Sequence, residues 1–273
     1  MENKEDLQQR QYVNSGNFNA RIYLNRMFST NQFPWPCWIF DQFKLMDHAK
    51  VLELGGGNGL LWMANAQRIP AQWEITVTDI SSGMLVDARG NLDALRGRLH
   101  FEVMDAEQIQ YPDSTFDIVI ANHMLYHVQD RRRALAEIKR VLKPGGTFYA
   151  STVGNRNMLE MRELVHEFDP HSKYNEVLGS IETRFSLENG REQLLEYFGD
   201  VQLILYNDSL LVTESEAVVK YVLSLNGFSS DQVVLDQGSV DHFKEFIDRK
   251  MTQSNGQIYI QKSSGIFISS RLR

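Results

Sequence analysis

Residues 51–59 read Val51-Leu52-Glu53-Leu54-Gly55-Gly56-Gly57-Asn58-Gly59, an apolar run with one carboxylate that breaks into glycines. The run suits a buried parallel strand, in which both faces are covered and apolar residues need not alternate. Glycines after such a strand allow positive φ and let bare backbone approach a ligand. Leu60, Leu61, Met63, Ala64, Ala66 and Gln67 then read as a helix closed off by Pro70. A strand, a glycine turn and a helix place a ligand outside the carboxyl end of the strand. The spacing also limits which ligand. A dinucleotide loop needs a third glycine at position 60, where Leu60 stands, and no Lys-Ser or Lys-Thr follows Gly59 to make a phosphate-cradling loop.

Downstream, strand and helix signals alternate. Glu74-Ile-Thr-Val-Thr-Asp79 is β-branched and ends in an acid; Ser81 or Ser82 opens a helix through Met84, Leu85, Ala88 and Leu92. Leu99 to Asp105 reads as a third strand and Phe116 to Ala121 as a fourth, running into Asn122-His-Met-Leu-Tyr-His127. Residues 131–142 form an amphipathic helix that stops at Lys143-Pro-Gly-Gly146, and Gly146 to Thr152 is a fifth strand. Strands alternating with helices imply a parallel sheet with right-handed crossovers.

In order and spacing, VLELGGGNG, VTDISSGML, VMDAEQIQYPDSTFDIVIANHMLYHV and EIKRVLKPGGTF resemble the class I S-adenosylmethionine (SAM)-dependent methyltransferases of small-molecule type, from residue 48 to about 153. The resemblance implies an α/β fold: a Rossmann-like, doubly wound seven-stranded sheet with a mostly helical cap from the N-terminus and the segment after strand 5. It implies SAM as cofactor and a single methyltransferase domain over 1–273, divided into a lid (1–47), a SAM-binding core (48–153), a substrate-side insertion (154–200) and the last strands and helices (201–273).

SAM carries a ribose diol, an adenine, a methionine tail and a sulfonium, but no phosphate. Asp79, 20 positions after Gly59, is placed to accept from both ribose hydroxyls as a charge-assisted pair. An acid there serves NAD as well, and Asp79 could instead cap the following helix. By resemblance, Asp105 accepts from the adenine amino group beside the Ala106 backbone, and Ile80 and Met84 flank the ring. Glu53 shapes the loop of Gly55, Gly56, Gly57 and Gly59 and binds the methionine amino group, and Asn122 lies near the methionine portion. The bland alternatives are a turn acid at Asp105 and a buried structural carboxyl at Glu53.

Transfer from a sulfonium needs alignment and exclusion of water, and a base only where the acceptor must lose a proton. His123 and His127 are the candidate catalytic bases, suited by pKa; His127 could equally orient its turn. Asn122-His123-Met124-Leu125 is not the Asn/Asp-Pro-Pro-Tyr motif used on exocyclic amines of bases. The sole cysteine, Cys37, lies outside the sheet motifs, which removes the nucleophile of a covalent pyrimidine mechanism.

Residues 12–43 hold nine aromatics in 32 positions, against 11% aromatic residues in the whole chain. That segment reads as helical cover over the cleft, a lid with an apolar acceptor pocket or plain packing, bent at Pro34 and Pro36. Tyr12, Phe18, Asn19 and Arg21 are candidate contacts to acceptor or SAM carboxylate. After the fifth strand, Met158, Met161, Leu164, Val165 and Phe168 form a helical stripe. Ser186 is expected to cap a helix over Leu187–Phe198. Val201–Val212 and Gly265–Ser270 are expected as the last two strands, split by helices near 214–226 and 239–253.

The net charge of −7 argues against a large nucleic-acid footprint, and Arg131-Arg132-Arg133, balanced by Glu137, reads as a solvated helix face. His166, His171 and Tyr174 make no metal-ligand spacing, so no metal is expected. One cysteine excludes an internal disulfide, no run of 18 apolar residues exists, and Met-Glu-Asn-Lys-Glu-Asp lacks the start of a secretion signal. The expectation is a cytoplasmic enzyme with a small-molecule acceptor, no nucleic acid and no membrane. The competing classes are an RNA or protein methyltransferase, and a silent SAM-fold protein acting by interaction.

Overall fold

The computed structural model describes residues 16–95, 97–226 and 233–271. They fall into two compact units, one drawn from 33–154, 183–206 and 264–271, the other from 16–32, 155–182 and 207–263. The segment expected as a lid therefore divides at 32/33.

The first unit is built on seven strands: β1 (His48–Leu54), β2 (Gln72–Asp79), β3 (Leu99–Val103), β4 (Phe116–Asn122), β5 (Leu142–Val153), β6 (Asp200–Tyr206) and β9 (Ser264–Ser270), in spatial order β3-β2-β1-β4-β5-β9-β6. The first five run parallel, and β9 lies antiparallel to both β5 and β6. The order reverses between β1 and β4, the switch point where ligands of open α/β sheets bind. Alternation along the strands sorts the core into two layers. Leu52, Leu54, Val119, Ala121, Phe148 and Ala150 face one side; Val51, Ile118, Ile120 and Tyr149 face the other.

Helices cover both layers: α2 (Trp35–Asp41), α3 (Leu60–Ala64), α4 (Ser82–Asn91), α5 (Arg131–Val141) and α8 (Gly190–Leu195). Ser81 Oγ accepts from Met84 N at 3.2 Å and caps α4, and Asp130 caps α5 through Arg133 N at 3.0 Å. Ala134, Leu135, Ile138 and Val141 are the buried stripe of α5.

Several boundaries differ from expectation, each for a local reason. The helix expected to reach Pro70 ends at Ala64, because the Asn65 side chain donates to Leu61 O (2.8 Å) and Pro36 O (3.0 Å) and turns the chain. The third strand stops at Val103; Asp105 sits in a turn closed by Glu107 N on Oδ1 (2.9 Å). Lys143-Pro-Gly-Gly146 ends α5 but already belongs to β5. Ser186 is not a side-chain cap, since its hydroxyl makes no hydrogen bond. Instead Asn189 Oδ1 takes Ser186 N (2.9 Å), and the helix expected over 187–198 shrinks to α8.

The second unit contains α1 (Gly16–Phe28), α6 (Leu159–Phe168), α9 (Ser215–Leu223), α10 (Val240–Gln253), most of α7 (Tyr174–Arg184), and a separate antiparallel pair, β7 (Ser209–Val212) with β8 (Ile258–Gln261). The single strand expected over Val201–Val212 is thus two strands, broken at Asn207-Asp208 and belonging to different sheets. Leu24, Val165, Val218, Val222, Phe243 and Ile260 are among its core residues. No helix among the described residues is long and apolar enough to cross a membrane.

Candidate active site

The glycine loop leaves β1 with Gly55, Gly57 and Gly59 all at positive φ. At Gly59 (φ +80°) a Cβ would stand 2.4 Å from Leu92 Cδ1, and at Gly56 one would stand 2.5 Å from Val77 Cγ1 and 2.8 Å from Glu53 Oε2. Only glycine fits where the loop lies this close to its neighbours. Gly56 N donates to Thr78 O at 2.7 Å, which ties the loop to β2.

Two carboxyls lie beneath it. Glu53 is 1% exposed, and its Oε2 accepts the Trp62 indole N–H at 2.6 Å. Burial pushes Glu53 up to about 7; the Trp62 bond opposes the rise and the charge of Asp79 adds to it. Asp79 ends β2. Its Oδ2 accepts Gly57 N at 3.0 Å and its Oδ1 accepts Ser81 N at 2.9 Å. Burial raises Asp79 as well, while the N–H groups of Ser81, Gly57 and Ile80 and the charge of His127 pull it down. A carboxylate has about four acceptor sites, so the three backbone N–H groups leave it some capacity for a hydroxyl. Ile80 is half-buried, Met84 is buried in the core, Ala106 is buried beside the partly exposed Asp105.

At the end of β4, Asn122 is in register with Ser151 of β5. The Ser151 hydroxyl donates to Asn122 Oδ1 and accepts His123 N at 3.0 Å. His123 takes φ +53°, and its ring lies 4.9 Å from that of Trp35. His127 closes a short turn (Leu125–His127) with its ring 4.6 Å from Tyr126. The two histidines therefore do different things: His123 meets the aromatic wall of α2, whereas His127 lies within the electrostatic reach of Asp79.

Glu53, the glycines, Asp79, Asn122 and both histidines come together in one unit at the carboxyl ends of β1, β2 and β4. The acceptor candidates of α1 lie in the other: Asn19 is exposed, Phe18 half-buried, and the Arg21 charge reaches the buried Tyr221. Tyr12 lies outside the described residues. Trp62, Ser151 and Trp35 carry parts of this arrangement that motif reading passes over. The only sequence signal for Ser151 is its place at the end of a strand beside β4. Among the described residues no group of three or more His, Cys, Asp or Glu could hold a metal ion.

Residues 52–150 match the family described as a methyltransferase domain. The ubiquinone/menaquinone biosynthesis C-methyltransferase UbiE of Hydrogenovibrio crunogenus is 39% identical over 98 residues, 35% of this chain and 39% of that protein. The chain spans less than half the length of the curated relatives it matches. In fold it is similar to phosphoethanolamine N-methyltransferase 2 of Haemonchus contortus, solved with S-adenosyl-L-methionine (TM-score 0.60, 17% identity, 99% of this chain and 60% of that one). It is also similar to the [4+2]-cyclase SpnF (TM-score 0.54, 17% identity, 95% and 97% covered). Such likenesses establish the fold, and a fold by itself hosts more than one chemistry. Residues 52–150 thus match a methyltransferase domain, within a chain whose fold is that of the solved methyltransferases.

Proposed function

We propose that the chain is a SAM-dependent methyltransferase that methylates a small-molecule acceptor by direct in-line displacement. The observation that carries the reading is the glycine loop itself. It has three positive-φ glycines and no phosphate-binding lysine, and the buried Asp79 carboxyl at the end of the next strand is hydrogen-bonded into it. The residues present fit SAM: bare backbone for the methionine tail, a buried carboxyl at Glu53 beneath that backbone, and an acid at Asp79 for a diol. When bound, SAM supplies an activated methyl group on a positively charged sulfur.

In this reading Gly55, Gly56, Gly57 and Gly59 cradle the methionine portion, with Glu53 toward its amino group and Asn122 alongside. Asp79 holds the ribose diol, Ile80 and Met84 flank the adenine, and Asp105 with the Ala106 backbone accepts its amino group. The chain's own contribution is alignment and exclusion of water. His123 takes a proton where the acceptor must lose one, as a carbon acid or phenol must; His127 is the second candidate. The relatives' printed activity, C-methylation in quinone biosynthesis, is of that kind. Tyr12, Phe18, Asn19 and Arg21 are proposed on the acceptor side. The acidic net charge favours a small molecule over RNA, and the lone cysteine suits the cytoplasm.

The test is calorimetric titration of SAM into wild type and Asp79→Ala. Losing a charge-assisted pair worth roughly 1.5–3 kcal/mol weakens binding by about one to two orders of magnitude. Unchanged affinity in a variant with wild-type circular dichroism refutes the assignment of Asp79.

A further inference from the structure

We infer that Trp35 is a positioning residue that fixes the imidazole of His123, an inference that rests on the reading of His123 as the proton acceptor. His123 carries a side chain yet sits at φ +53°, in the sparsely populated left-handed region, directly at the carboxyl end of β4. Its backbone is held there from one side by Ser151, whose carbonyl and hydroxyl accept His123 N at 3.3 and 3.0 Å. Non-glycine residues kept in such a conformation cluster at functional sites, where surrounding structure over-determines them.

The ring is held from another element. The imidazole lies against the Trp35 indole at 4.9 Å and 32°, and Trp35 is itself stacked on Trp38 at 5.3 Å and 29°. Tyr206, at the end of β6, stands edge-on to Trp35 at 5.1 Å, and its hydroxyl donates to Phe33 O at 2.7 Å. That bond pins the chain two residues before Trp35. The Trp35 indole N–H is buried without a hydrogen-bond partner among the described residues, and the indole is set by these rings and by the core layer it packs against. Tyr126 also faces His123, at 6.4 Å, and is itself 4.6 Å from His127. Backbone and ring of one candidate base are thus fixed independently, by β5 and by α2. The aromatic density before β1 acquires a specific task.

An indole face also favours the protonated imidazole, by roughly 0.5–1 kcal/mol where solvent reaches the pair. The test is an NMR titration of the imidazole in the full chain, the His123 signals being assigned by their loss in His123→Asn. Trp35→Phe, which keeps a ring, is expected to retain the upfield-shifted His123 carbon-bound proton and a pKa within about 0.2 unit of wild type. Trp35→Leu is expected to lose the upfield shift and to lower the pKa by about half a unit. Calorimetry with SAM accompanies each variant. Wild-type affinity in all three proteins keeps the cofactor reading intact while the NMR decides on Trp35; loss of SAM binding in wild type condemns that reading instead. Identical His123 shifts and pKa in wild type and Trp35→Leu overturn the inference, as does a Trp35→Phe protein that behaves like Trp35→Leu.

Discussion

Glu53 shows how a single buried group can set a pH dependence. Its carboxyl is shut away beneath the glycine loop with one donor, the Trp62 indole, and burial raises it from 4.5 to about 7. A group whose pKa is higher folded than unfolded stabilises the fold fully below the unfolded value and loses that contribution as pH rises through the folded one. The window here is pH 4.5 to about 7, and the amount at stake is on the order of 3 kcal/mol. Glu53→Gln mimics the protonated form. Its urea midpoint is expected to match wild type near pH 4 and to exceed it at pH 8. Parallel pH profiles for the two proteins exclude the assignment. Gly59 sets a steric limit in the same loop. Gly59→Ala demands a left-handed alanine with its Cβ against Leu92, and the expected loss is about 1–3 kcal/mol in denaturant unfolding; a loss below 0.5 kcal/mol would falsify the close approach. Glu53, Asp79 and the glycines are legible in the sequence because each belongs to one continuous strand-and-turn. Trp62 and Ser151 are not: each meets its partner only once α3 or β5 is packed against β1 or β4.

At the level of elements, the break at Asn207-Asp208 has a physical cause that strand propensity hides. Val201 to Val212 is apolar enough to pass for one strand. Yet Asp208 Oδ1 accepts Ser29 Oγ (2.7 Å), Ser209 N (2.9 Å) and Asn31 N (3.2 Å), while Oδ2 pairs with Lys262 Nζ at 3.2 Å. The Asp208 side chain is 2% exposed and that of Lys262 11%, so both charges are out of water. Burial lowers the Lys262 pKa and Asp208 opposes that. Removing one partner of such a pair strands the other and costs about 3–5 kcal/mol. Asp208→Ala is expected to lose that much by urea titration, and Asp208→Ala with Lys262→Met to regain part of it. An additive double variant would show that the two charges do not depend on one another. The same logic explains why the five parallel strands and α5 are readable in advance, since their apolar patterns are local and continuous. The ends of α3, α8 and β6 are not, because Asn65, Asn189 and Asp208 end them through side-chain bonds that compete with secondary structure.

On the scale of the whole molecule, the two units are interleaved, and neither is one continuous stretch of chain. The matched stretch, 52–150, holds the end of β1, all of β2, β3 and β4 and most of β5, but not the strands that complete the sheet. β9 pairs with β5 from Thr147↔Ser270 to Val153↔Ser264 and in turn carries β6. One core layer draws Phe185, Leu194, Phe198, Val201 and Phe267 from beyond residue 180. A fragment of residues 33–154 would present the whole outer edge of β5 unpaired and leave Phe148 without its stacked partner Phe198. An exposed, apolar edge of that length pairs with other chains. The fragment is therefore expected to be insoluble or to give a collapsed, poorly dispersed amide spectrum. Co-expression with residues 183–273 is expected to restore dispersed signals, because that piece returns β6, β9 and the missing side of the core. Well-dispersed spectra from 33–154 alone would mean that the first five strands fold without the antiparallel pair. The proposed cofactor site, which draws on the ends of β1 to β5, would then be separable from the rest of the chain.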